Sequence, residues 1–188
     1  MRHTLVALVE DKPGVLNRVA SLFRRRVFNI ESLTVGHTDQ PGISRMTIVI
    51  DSSQTNAERV TAYLHKLINV IYVGDLADKP AVSRDLALIK VNVTPANRTE
   101  VLQLADVYRA RIVDVAADSL IVEITGTEDK IDSCVDVLRP FGIVEMVRTG
   151  EVSMARGSVG LPLVKGSGLG SNGHKAFVAA EPLAAPRA

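Results

Sequence analysis

Cys134 is the only cysteine of this 188-residue chain, and the histidines are His3, His37, His65 and His174. No two histidines stand at metal-ligand spacing, so no metal site is expected. Cys134 shares an apolar helical stripe with Ile131, Val135 and Leu138, which predicts a core residue rather than a catalytic thiol. His65, beside Lys66 at a predicted helix C-terminus, suits the helix dipole. Glu10-Asp11 could do acid–base work, but they immediately precede a helix start, where capping is the simpler role. Gly168-Leu169-Gly170-Ser171-Asn172-Gly173 spells G-x-G-x-x-G. It follows no predicted strand and opens no predicted helix, so it is read as a chance match. No G-x-S-x-G, P-loop or H-E-x-x-H is present, and no catalytic residue is assigned. Arg24-Arg25-Arg26, the one dense basic run, falls in the last turn of a predicted helix, where it complements the dipole.

The elements that must position these residues follow from periodicity. Thr4–Val9 is a short Leu/Val-rich run, predicted as a buried strand. Asp11-Lys12-Pro13-Gly14 then predicts a helix start, with Asp as N-cap and Pro in the first turn. Val15, Leu16, Val19, Ala20, Leu22 and Phe23 recur at helical spacing through Arg26. Phe28–Gly36 and Arg45–Asp51 are predicted strands about a 37–42 turn. A helix with Ala57, Val60, Leu64 and Leu67 inward, capped by Thr55 or Asn56, leads to a strand over Asn69–Asp75. The same order then repeats. Strands are predicted at Asp85–Val93, Arg111–Ala116, Leu120–Thr125 and Gly142–Val147, and helices at Pro95–Tyr108 and Lys130–Arg139. Each half is a split βαβ unit, so the fold class is α+β: two ferredoxin-like βαββαβ domains, each an antiparallel sheet with two helices on one face. The other face, as apolar as Leu5–Val9, predicts oligomerisation to cover it.

The predicted domains are 1–76 and 85–157, joined by a 77–84 linker and followed by a disordered 158–188 tail rich in Gly, Ser, Ala and Pro. The hydrophobic fraction of 46% suits a packed core. A net charge of +1 provides no field for nucleic acid or anionic lipid. An RNA-recognition sheet would need aromatics on its central strands, and these carry Leu, Val, Ile and Thr. The first apolar run is too short for a signal peptide, no stretch reaches membrane-span length, and a single cysteine fits a reducing compartment. A cytoplasmic protein is expected, without membrane or nucleic-acid partners.

Val9–Gly36 (VEDKPGVLNRVASLFRRRVFNIESLTVG), Ser44–Ile50 (SRMTIVI) and Leu86–Val91 (LALIKV) resemble, in order and spacing, the regulatory small subunits of acetohydroxyacid synthase. FNIESLTVG (Phe28–Gly36) with SRMTI is specific to them, whereas D-x-P-G-x-L alone would indicate only some ACT domain, a small amino-acid sensor. The resemblance implies an N-terminal ACT domain that pairs as a homodimer and binds valine or a related branched-chain amino acid at the interface. It also implies a C-terminal ACT-like domain that contacts the catalytic subunit. That subunit would carry thiamine diphosphate, Mg²⁺ and FAD, with no cofactor in this chain. Activation and feedback inhibition are the implied job.

Elementary chemistry agrees with that reading. N–H groups around Gly14, Val15 and Leu16, at a helix start, suit a ligand carboxylate. Gly14 allows close backbone approach. Asp11 and Asn29 could accept from the ammonium, and Ile30 and Val35 could supply apolar contact. Two residues depart from the family pattern. Asp11 stands where many relatives have Asn, adding a charge that attracts the ammonium and repels the carboxylate. Val27 stands where Gly is common, and is strained if it closes the helix in the left-handed conformation. The rival readings are a ferredoxin-like enzyme with an interface active site and a nucleic-acid-binding regulator using the Arg patch.

Overall fold

A computed structural model describes residues 2–51, 56–157, 160, 164–169 and 175–179. The chain forms two compact units: Met1–Val82 together with the chain from Ser153 onward, and Ser83–Val152.

In the first unit, β1 (Arg2–Glu10), β2 (Ser32–His37), β3 (Ile43–Asp51) and β4 (Val70–Asp75) form an antiparallel sheet in the order β2-β3-β1-β4. Helices α1 (Val15–Arg26) and α2 (Ala57–Leu64) cover one face. The alternation that predicts the strands decides what lies beneath them. Leu5, Ala7 and Val9 of β1 and Met46, Ile48 and Ile50 of β3 pack against Val15, Val19, Leu22 and Phe23 of α1 and Val60 and Leu64 of α2. Truncating one such side chain to Ala costs about 2–5 kcal/mol. Asn56 caps α2, its side chain accepting the Arg59 N–H at 2.9 Å.

The start of α1 differs from expectation. The cap is Gly14, at φ 83° and ψ −4°, and the helix begins at Val15. Asp11 is engaged elsewhere, so the capping role predicted for it, with Pro13 in the first turn, does not hold. β2 also starts later than predicted. The chain leaves α1 through Val27 at φ 57° and ψ 37°, with the Phe28 N–H donating to Phe23 O at 3.0 Å. That left-handed close turns Phe28 back onto the helices, edge-on to Phe23 at 6.1 Å between ring centres.

The second unit repeats the plan. β5 (Ala81–Asn92), β6 (Arg111–Val115), β7 (Ser119–Gly126) and β8 (Ile143–Arg148) are ordered β6-β7-β5-β8, with α3 (Arg98–Val107) and α4 (Glu128–Leu138) on one face. Details recur too. Each first helix closes in the left-handed region on a residue other than glycine, Val27 and Arg109. Each sheet also slips by one residue at the same place, between Leu8 and Val9 against β4 and between Lys90 and Val91 against β8. Both halves are thus ferredoxin-like. The 81–84 part of the predicted linker already belongs to β5.

One expectation is corrected: the outer face of the first sheet does not wait for a partner, since Val6, Leu8, Thr47 and Val49 are all buried. The returning chain reaches this face. β9 (Val152–Ala155) pairs with β5, the Arg45 guanidinium donates to Ser153 O, and Arg156 N–H donates to Pro80 O at 2.8 Å. Within the 158–188 stretch, β10 (Val164–Leu169) pairs antiparallel with β11 (Lys175–Ala179). Gly, Ser, Ala and Pro together dominate the composition there, but Phe177-Val178 favours extended backbone. Among the described residues no helix is long and apolar enough to cross a membrane.

Candidate functional site

β1 ends at Glu10, and the chain has four residues in which to turn into α1. Asp11 is held by its N–H, which donates to Gly42 O at 2.8 Å, and its carboxylate lies 3.3 Å from Nδ1 of His37 at the end of β2. Glu10 accepts from the Asn69 amide and lies 3.1 Å from Lys12 Nζ, while Asn69 accepts from Arg18 of α1. Neither member of the Glu10-Asp11 pair caps the helix; each ties the turn to a neighbouring strand.

Gly14 stands open: a Cβ built there meets nothing within 4 Å. The Val15 side chain is buried, and its N–H donates to Lys12 O at 3.3 Å. Leu16 is 46% exposed. As a first-turn residue its N–H has no acceptor within the helix. The turn therefore presents bare backbone, a helix N-terminus and the Asp11 carboxylate, which is what a zwitterionic amino acid requires.

The predicted residues do not all converge within one chain. His37 pairs with Ser44 and Glu10 with Ile43 in the ladder, so Val35–His37 and the Asp11–Leu16 turn share one end of the sheet. Ser32 pairs with Val49, which faces Thr4, so the 28–31 segment lies at the other end. The length of β2, about 17 Å for five residue steps, separates Asn29 and Ile30 from Gly14. Asn29 is exposed and Ile30 packs against the core. Val35, opposite Met46 on the helix-covered face, is 43% exposed. β2 itself is an outer strand of the sheet.

Residues 5–72 match the family model described as AHAS small subunit-like ACT domain, and residues 84–157 match that described as small subunit of acetolactate synthase. The chain is 50% identical over 163 residues to the acetolactate synthase small subunit of Mycobacterium bovis, covering 87% of this chain and 97% of that one. This chain belongs to the acetolactate synthase small-subunit family. The small subunit of Mycobacterium leprae is 51% identical over 163 residues, 87% of this chain and 96% of that one. The crystal structure of the small subunit from Thermotoga maritima matches with a TM-score of 0.78 at 37% identity, over 85% of this chain and 99% of that one.

The other chemistry-bearing residues of this small-subunit chain have plain structural places. Cys134 is buried and free, and burial pushes its thiol up, opposed by the nearby Lys130 charge. The Arg26 guanidinium lies 4.0 Å from the centre of the Tyr63 ring. Among the described residues no three His, Cys, Asp or Glu side chains gather as metal ligands would. His174 and residues 170–173 of the glycine run lie outside the described residues. His37 and Asn69 were missed by sequence reading because their partners are distant in the chain.

Proposed function

We propose that this chain is the regulatory subunit of an acetolactate synthase, non-catalytic itself, which activates a catalytic subunit and confers feedback inhibition by valine. The thiamine diphosphate, Mg²⁺ and FAD of the reaction belong to that partner in this reading. The observation that carries the valine site is the separation of Asn29 and Ile30 from the Asp11–Leu16 turn along β2. One copy leaves each half incomplete. Antiparallel pairing of two β2 edges in a homodimer brings the start of one strand beside the end of the other. Asn29 of one copy then faces Gly14 of the other, and two equivalent sites result. The exposed Val113 and Val115 of β6 and Val144 and Val147 of β8 give the second unit an apolar surface for the catalytic subunit.

The test is reconstitution with calorimetry. The purified chain alone forms no acetolactate from pyruvate and thiamine diphosphate, and raises turnover when mixed with its catalytic subunit. Activity without that subunit would end the regulatory reading. Gly14→Asp places a second negative charge beside the ligand carboxylate. At about 4 Å and an effective dielectric near 20, that repulsion is roughly 4 kcal/mol at most. Half of it weakens valine more than about tenfold, while activation survives. Asn29→Ala also weakens valine. Mixed with Gly14→Asp, it restores about a quarter of the sites, because half the dimers are mixed and each holds one intact site. No recovery in the mixture would place the site within one copy.

A further inference from the structure

The first unit holds a second ligand-sized space, on the sheet face opposite its helices. The cavity is about 460 Å³, within the range of small-molecule sites, and none of the predicted effector residues lines it. Leu8, Ile43, Leu76 and Met154 give it apolar walls, and Arg45 and Lys79 bring two cations.

Arg45 decides the charge of what fits. Its side chain sits on β3 opposite Leu8, half-buried, and the acceptor it meets is the neutral Ser153 carbonyl. Among the described residues no carboxylate lies within salt-bridge reach of it. Burial pushes the guanidinium below its ordinary value, with no acidic neighbour raising it. A cation held out of water without a counter-charge is unfavourable, and a ligand anion relieves that. Asp39, the acid among the lining residues, stands exposed on the β2–β3 turn. The walls decide the rest. A bare phosphate would leave the exposed Met154 side chain uncovered at the apolar end, and an alcohol would leave both cations unmet.

We propose that this cavity binds a small aliphatic carboxylate, with Arg45 and Lys79 holding the carboxylate and Leu8, Ile43, Leu76 and Met154 enclosing the hydrocarbon. His37, the ion-pair partner of Asp11, lines the cavity, but no residue of the Asp11–Leu16 turn does, and the site stands whether or not valine binds at that turn.

Calorimetric titration of the full chain with isovalerate, inorganic phosphate and isoamyl alcohol tests it. Isovalerate binds saturably at one site per chain, and phosphate and the alcohol bind at least about tenfold more weakly. Arg45→Met and Lys79→Met each weaken isovalerate by about tenfold or more and leave valine titration unchanged. Gly14→Asp leaves isovalerate binding unchanged. Lys79 is exposed, so its variant keeps the test decisive if Arg45→Met does not fold. Absence of saturable isovalerate binding, equal binding by the variants, or phosphate or alcohol binding as tightly as isovalerate overturns the proposal.

Discussion

Helix α1 closes on Val27 at φ 57° and ψ 37° with the side chain 89% exposed, so no packing offsets the crowding of a β-branched Cβ in the left-handed region. Val27→Gly removes that crowding, at some loss from the greater freedom of glycine in the unfolded chain. The variant is expected to be more stable by about 1 kcal/mol, the left-handed penalty for an L-residue. Urea unfolding reads this as a higher midpoint at unchanged slope, and an unmoved or lower midpoint would show the strain is relieved in another way. This residue was legible beforehand, because the family's glycine there marks a left-handed position. Gly14 was not. The run Asp11-Lys12-Pro13-Gly14 obeys the local rules for a capped helix start, but Asp11 is bound to Gly42 and His37. Local propensity gave way to partners that spacing along the chain does not reveal.

Among the elements, Arg148 of β8 joins two neighbours. Its Nε donates to Asp85 of β5 at 2.8 Å and its Nη1 to Asp132 of α4 at 2.7 Å. Burial lowers the Arg148 guanidinium, but the hydrogen bonds and charges of Asp85 and Asp132 together raise it above its ordinary value. The Asp85 side chain is 8% exposed and also accepts from Thr149 Oγ1 and the Gly150 N–H. Arg148→Met leaves that buried carboxylate without its cation. Breaking a buried pair costs about 3–5 kcal/mol, and Arg148 is partly open to solvent, so about 2–3 kcal/mol is expected. Asp132 is half-exposed, and Asp132→Asn is expected to cost under about 1 kcal/mol. Equal losses for the two in chemical denaturation would mean that the Asp85 pair contributes nothing special. The order of strands and helices was legible from hydrophobic period, since both sheets bury one face under amphipathic helices. The start of β2 was not, because Phe28 satisfies its ring against Phe23 and Tyr63 instead of continuing a ladder.

For the molecule as a whole, the chain from Ser153 belongs with the first unit, although the whole second unit, residues 83–152, intervenes. A chain ending after Val152 loses the Ser153 acceptor of Arg45 and the Met154 wall over Leu8 and Ile43. Its first unit is expected to melt several degrees lower, as loss of about 1–2 kcal/mol implies, while a chain ending after Gly157 melts as the full chain does. Equal melting of the two would show that the returning segment contributes no stability. This return, and the cavity built from Leu8, Arg45, Lys79 and Met154, had no signature in periodicity because each residue comes from a different stretch. The internal repeat was legible, and its finest detail is the slip shared by the two sheets. Val9 faces Val70 and Leu8 faces Tyr72, leaving Ile71 out of the count; Val91 faces Ile143 and Lys90 faces Glu145, leaving Val144 out. Elsewhere in a strand, dropping one residue turns every later side chain to the opposite face. At Ile71 or Val144 a deletion would straighten the ladder and keep Val70 and Ile143 pointing inward. Each half of this duplicated architecture therefore carries one spare residue, a place where strand length can drift between descendants without rewriting the core.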